Sequence, residues 1–295
     1  MSKKLFAGLP VHSTREVFGP NTKVCMMVYQ APKRGKTTFA ASLDKVTKKY
    51  DNKPTLFVSM EASDGGGTLS LKDLDIDYVQ PRTRKELDGI IAALQRDTYY
   101  GGVVIDSASE YVKRFLQPFA LQNTFPGANY YPTRQYGVPA RNDYQFMGEV
   151  GRIFFNRLIE LTSTPDLSIR KHLIVTALIK EKFDEKGNLY RVCPDLPGAM
   201  SDSATAMFQT VAQIGVKAQA VPDPNDPTGK KRKRVHMHFL RIKSDGVEIL
   251  DDRTGIFPNN FPLTDLDGNP VGLDKIFEEF WIPAVEKTTK ERQDT

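Results

Sequence analysis

Three features of the sequence predict an α/β fold with a mainly parallel sheet, flanking helices and a C-terminal antiparallel extension. Short apolar runs at 24–29, 55–60, 101–107 and 172–178 have the length and turn-rich flanks of buried strands. Between them, apolar residues recur three and four apart, the helical period, as at Phe39, Leu43 and Val46 or Leu87, Ile90, Ile91 and Leu94. Beyond residue 180 the runs come in pairs joined by turn signals, first at 182–193 and then at 209–217 with 234–243.

Composition sets the outer limits. A chain of 295 residues can bury a proper core, and no Ser/Gly-rich linker divides it. The reading is one domain over 1–295, with a core at about 20–260, an N-terminal arm at 1–22 and a C-terminal helix and frayed tail at 265–295. The hydrophobic share of 40% and charged share of 26% are those of an ordinary globular protein, and the net charge of +5 leans toward a polyanionic partner. Cys25 and Cys193 form no C-x-x-C pair, so no cysteine metal framework is expected. No run of about 18 apolar residues and no signal-peptide core appear, which implies a cytoplasmic protein without a membrane partner.

Residues 23–41, KVCMMVYQAPKRGKTTFAA, carry the clearest chemistry. A strand, a loop from Gln30 through Ala31, Pro32, Lys33 and Arg34 to Gly35, and then Lys36, Thr37 and Thr38 at a helix start follow the P-loop order. In G-x-x-x-x-G-K-[ST], backbone N–H groups cradle phosphates, the lysine reaches the β/γ-phosphates and the hydroxyl ligates Mg²⁺. Gly35, Lys36 and Thr37 fit, while Gln30 stands where a first glycine would permit the tight turn. Lys33 and Arg34 add positive charge inside the loop.

Two strands end in carboxylates. Glu61 follows the 55–60 run at the sheet edge where α/β proteins bind ligands, and a solvated loop carboxylate is the alternative. Asp106 closes the 101–107 run, placed either to hold a Mg²⁺ water shell opposite Thr37 or only to cap the next helix. From 117 to 144, tyrosines and arginines interleave with Pro and Gly, suiting either base stacking with phosphate contacts or a packed surface loop. Lys230, Lys231, Arg232, Lys233 and Arg234 are a solvated face or a phosphate contact. His236 and His238 alternate along a strand without an evident third metal ligand.

The set QAPKRGKTT, LFVSMEASDGG, GGVVIDSASE and HLIVTAL, in that order and spacing, resembles RecA-like core ATPases. More narrowly it looks like compact phage-encoded AAA-type nucleotide-binding proteins with RecA-like cores, some of them minimal recombinases on single-stranded DNA. PDLPGAMSDSATAMF and LRIKSD extend that likeness, which spans roughly 20–260. The resemblance implies ATP and Mg²⁺ as cofactors, with Lys36 and Thr37 on the phosphates and metal, Asp106 supporting the metal and Glu61 polarising the attacking water. It puts Thr176, at the end of the fourth core strand, in the place of a γ-phosphate sensor that is usually an amide. It also matches Arg241 and Lys243, alternating on one strand face, to cations that reach a neighbour's nucleotide; a charged exposed strand is the alternative.

These residues imply an ATPase stimulated by single-stranded DNA, assembled as a ring or filament and serving phage recombination, replication or repair in the bacterial host cytoplasm. A single-strand-binding protein is a candidate partner. Two further readings share the site: a helicase or packaging-type motor, and a nucleotide-binding adaptor that scarcely turns ATP over.

Overall fold

The computed structural model describes residues 5–6, 9–10, 18–61, 71–123, 137–222, 232–265 and 267–293. After a short antiparallel pair, β1 (Leu5–Phe6) with β2 (Leu9–Pro10), the chain enters β3 (Cys25–Gln30). It then forms α1 (Lys36–Ala41) and α2 (Leu43–Val46), broken at Ser42 and prolonged by a π-helical turn to Asp51. β4 (Thr55–Ser59) and a short edge strand β5 (Asp77–Val79) precede α3 (Arg84–Leu94), whose first turn is capped by the Thr83 hydroxyl accepting from Glu86 N–H.

β6 (Gly102–Asp106) leads into α4 (Ala108–Tyr111), a π-helical turn and α5 (Gln117–Asn123). Helix at both Gln117–Asn123 and Arg141–Tyr144 thus occupies the two ends of the stretch expected to be aperiodic. The 23-residue α6 (Arg141–Ser163) buries Met147, Phe154, Phe155, Leu158 and Leu161. β7 (His172–Phe183) and β8 (Leu189–Pro194) make the expected hairpin, its turn held by Asp184 accepting from Lys186 and Asn188 N–H. α7 (Met200–Thr205), β9 (Thr210–Pro222), β10 (Arg232–Arg241), β11 (Asp251–Asp252) and β12 (Phe261–Pro262) follow. α8 (Leu273–Ile276) and α9 (Ile282–Gln293) are joined through a π-helical turn. Helix thus occupies most of the tail expected to fray, with Arg292 donating to the Phe18 carbonyl.

The main sheet runs β12-β10-β9-β3-β7-β6-β4-β5, with β8 on β7 and β11 on β9. From β9 through β5 every neighbour is parallel, while β10, β11, β12 and β8 pair antiparallel. The α/β expectation is borne out, antiparallel extension included. Period-2 alternation explains why both faces are covered. Cys25, Met27 and Tyr29 of β3 join Val103, Ile105 and Val175 in a core under α3 and α6. Met26 and Val28 join Val104, Ile174, Phe57 and Phe39 on the other face, where Phe277 and Trp281 of the C-terminal helix close the layer. Gly102 has no room to be larger: a Cβ there would lie 2.6 Å from Thr55 Oγ1 and 2.9 Å from Thr47 Cγ2.

A buried polar joint ties β7 to β3. His172 Nδ1 accepts from Val24 N–H at 3.0 Å, which leaves Nε2 to donate toward Asp51, 3.3 Å away. Burial holds this imidazole below its ordinary 6.5. Below that pH the unfolded chain takes up a proton that the native chain refuses. The stability is thus complete above about pH 6.5 and drains as pH falls toward the native value, by up to about 1.4 kcal/mol per pH unit. Urea unfolding at about pH 7.5 and 5.5 should show the loss, with a shallower pH slope in His172→Gln; equal slopes in the two proteins would remove His172 as the cause.

Candidate functional site

The phosphate loop grows out of the central strand. β3 pairs through Gln30 with Leu178 of β7, so Gln30 is the last strand residue and not the first of the loop, as expected from sequence. The left-handed backbone positions fall at Lys33 (φ 58°) and Gly35 (φ 81°). The turn therefore never needs a glycine at position 30. Gln30 instead uses its amide: Oε1 accepts from Ala31 N–H at 2.7 Å and Nε2 donates to the Ile214 carbonyl of β9. Pro32, Lys33, Arg34 and Gly35 are exposed, and Thr38 is half-buried behind them.

Lys36, Thr37, Asp106 and Glu61 are brought together at the carboxyl ends of β3, β6 and β4, with Thr176 of β7 beside Asp106. Lys36 is 7% exposed and donates to the Ala31 carbonyl at 2.9 Å. Burial pushes its pKa down, against the opposing pull of the Asp106 and Glu61 charges. Asp106 is buried, accepting from Thr37 Oγ1 at 2.9 Å and, on its other oxygen, from Thr176 Oγ1. Burial pushes the Asp106 carboxyl up, and the two hydroxyls and Lys36 oppose it. A hydroxyl beside one buried carboxylate is a hard-oxygen pair of the kind Mg²⁺ uses when phosphates and water complete its shell. The residues present fit that ion.

Glu61 sits half-buried one residue past the Met60 N–H that donates to the Asp106 carbonyl at 2.6 Å. Its backbone is pinned because its carbonyl accepts from Gln80 Nε2 at 2.7 Å and from Arg114 Nη1. Sequence reasoning gave Gln80 and Arg114 no such role, since neither lies in a motif. Gln80 directly follows the edge strand β5, and Arg114 lies in the π-helical turn after α4.

Two expectations need correction. Thr176 is in the middle of the 12-residue β7, fully buried, with its hydroxyl committed to Asp106; it orients the carboxylate from within the sheet and does not face outward as a sensor. β10 ends at Arg241, so Lys243 lies beyond it and shares no strand face with Arg241. Arg241 is occupied within its own chain, donating to Gln213 at 3.0 Å, Glu248 at 3.0 Å and Asp245 at 2.7 Å. Lys243 is exposed. Among the described residues, His236 and His238 find no third metal ligand. Residues 124–136, with Arg134, and 223–231, with Lys230 and Lys231, lie outside the described residues.

No family model matches the chain, and no curated protein matches its sequence. Among solved structures it is similar to a KaiC-like protein from the hyperthermophilic archaeon Pyrococcus horikoshii, at 15% identity and a TM-score of 0.37, covering 75% of this chain and 78% of that one. It is also similar to the flagellar accessory protein FlaH from Methanocaldococcus jannaschii, at 7% identity and a TM-score of 0.39, covering 80% of each chain. The fold class rests on the chain's own mainly parallel sheet with flanking helices, in which β7 separates the strand before the 30–38 loop from the strand ending in Asp106. Among the described residues no helix is long and apolar enough to cross a membrane.

Removing the Thr176 hydroxyl leaves one oxygen of a buried carboxylate without its partner. Thr176→Val should therefore cost about 1–3 kcal/mol of unfolding free energy. Thr176→Ser, which keeps the donor, should cost less than the valine. Urea titration followed by circular dichroism checks both, and a neutral Thr176→Val would show that the hydroxyl does not hold Asp106.

Proposed function

We propose that this chain binds ATP with Mg²⁺ at the 30–38 loop, hydrolyses it, and works on single-stranded DNA as a ring or filament of like subunits. The convergence of Lys36, Thr37, Asp106 and Glu61 at one sheet edge carries the nucleotide part. In this reading Lys36 exchanges the Ala31 carbonyl for β/γ-phosphate oxygens, and backbone N–H groups from Ala31 to Thr38 cradle the rest. Mg²⁺, when bound, supplies charge neutralisation of the transferring phosphoryl group. The Thr37 hydroxyl and Asp106 hold that ion's shell, and Thr176 keeps Asp106 aimed. Glu61, fixed through its carbonyl by Gln80 and Arg114, orients and deprotonates the attacking water. The trans-acting role falls to exposed Lys243, while Arg241 braces the 243–248 turn through Asp245 and Glu248.

The DNA part is supported by basic and aromatic surface near the same edge. A cleft of about 430 Å³ between α4, α6 and the β7–β8 hairpin is lined by Ser109, Lys113, Gln117, Tyr144, Lys180 and Pro197. Tyr144 is 45% exposed, a stacking surface near Lys113, which pairs with Glu110 at 3.1 Å, and Lys180, which lies 3.8 Å from the Asp195 carboxylate that also lines the cleft. Arg232 and Arg234 stand exposed on β10. The cellular setting proposed is phage recombination, replication or repair in the host cytoplasm, with a single-strand-binding protein as partner. A second reading, a nucleotide-binding adaptor with little turnover, is favoured by one observation: Thr176 spends its hydroxyl on Asp106, leaving the sensor position without a donor for phosphate.

Steady-state ATPase assays test the catalytic roles. Lys36→Ala and Asp106→Asn should remove turnover, and Glu61→Gln should cost about 10²–10⁴-fold while ATP still binds. Wild-type turnover in Glu61→Gln would sink its assignment, and tight ATP binding without measurable turnover in the native protein would favour the adaptor. Single-stranded DNA at low salt should raise the rate, with binding that weakens steeply as salt rises. A rate indifferent to saturating DNA would remove the DNA part and leave the ATPase intact.

A further inference from the structure

The strand histidines find a place that the catalytic roles leave open. A groove of about 550 Å³ runs along the outer flank of α1 and α2, starting at Arg34, Gly35 and Thr38 of the phosphate loop. Its far wall is β10 with residues 263–264 and 270–272, contributing His236, His238, Leu263, Thr264 and Val271. The lining is mainly apolar with a few convergent polar groups, and the volume lies within the roughly 300–1,000 Å³ of small-molecule clefts. It is continuous with the loop that would hold phosphates. A ligand entering it is therefore anchored by phosphate at one end and carries a largely apolar body.

His238 is built to read that body. Its backbone N–H donates to Thr264 Oγ1 at 3.1 Å, and its ring Nδ1 lies 3.1 Å from the same oxygen. The Thr264 hydroxyl, having accepted the backbone proton, gives its own to Nδ1, which leaves Nε2–H as a donor. The Cδ2–Nε2 edge of the ring stands over the phosphate loop: a Cβ placed on Gly35 would lie 3.8 Å from His238 Cδ2. Burial, with Arg34 and His236 nearby, holds the imidazole below its ordinary pKa, so the ring is neutral at pH 7 and keeps this single-donor form.

We infer that this groove is the nucleoside subsite, taking the base and ribose of the nucleotide with His238 as its specificity-determining contact. The inference rests on the proposed ATP reading and adds to it the part of the nucleotide that is recognised and the residues that recognise it. Leu263 and Val271 supply the apolar wall against the base, and His238 Nε2 donates to an oxygen or nitrogen of the nucleoside next to the phosphate loop.

Competition binding with Mg-ATP and with Mg-tripolyphosphate, on the full chain, separates the two ideas. The native protein should bind ATP at least about tenfold more tightly than tripolyphosphate, about 1.4 kcal/mol. His238→Ala should lower ATP affinity about fivefold or more with tripolyphosphate unchanged. Val271→Trp, which fills the groove from a half-buried position, should do the same if His238→Ala fails to fold. Equal affinity of the native protein for the two ligands would overturn the groove and leave the phosphate loop standing. An equal loss for both ligands in either folded variant would also overturn it. Binding of neither ligand would overturn the ATP reading itself and this inference with it.

Discussion

A single buried carboxylate organises this molecule. Asp106 is out of water at the end of β6, where an isolated negative charge is expensive, and it is tolerated because each oxygen has a hydroxyl partner. One partner, Thr37, belongs to the helix after the phosphate loop; the other, Thr176, belongs to the strand between. Satisfying Asp106 therefore fixes both the height of α1 relative to the sheet and the register of β7 against β6. Burial raises the carboxyl's pKa by more than the two hydroxyls and Lys36 lower it. The polar centre costs stability in isolation and repays it by fixing where a buried lysine, a hydroxyl and two acids meet.

Much of this was legible in the sequence because parallel strands buried on both faces are written as short apolar runs. The runs around Met26, Phe57, Val104 and Ile174 each became a core strand of the parallel sheet, though their spatial order, β3-β7-β6-β4, is not their order along the chain. Gly35, Lys36 and Thr37 were readable for a different reason: a backbone that wraps phosphate needs a left-handed residue, a cation and a hydroxyl in fixed order. Asp106 was readable as an acid at a strand end, and the structure gives it the Thr37 contact that sequence proximity could not show.

What stayed hidden was set by contacts distant in sequence. Gln30 looked like a defect because the pattern wants glycine there, yet the strand runs one residue longer and the side chain bonds a carbonyl 184 residues away. Thr176 looked like a strand end because the apolar run stops near Leu178, but β8 pairs with the polar continuation and carries the strand to Phe183. Arg241 and Lys243 seemed to alternate on one strand, and only the turn that folds Asp245 and Glu248 back onto Arg241 shows that the strand has ended. Residues 286–295 read as frayed from their charged composition, whereas the helix anchored by Trp281, packed against Phe277, Phe257 and Phe18, continues to Gln293.

The 13-residue β9 has a mechanical consequence. Its first half is laced in parallel to β3 and its length is laced antiparallel to β10, so one strand belongs to both the phosphate-loop layer and the extension. A one-residue slip would turn every side chain to the wrong face, so β9 cannot yield by sliding and must move as a stiff lever. Gln30 grips that lever at Ile214, one residue from the Gln213 that receives Arg241. The start of the loop and the turn bearing Lys243 are thereby joined through main chain and two amides.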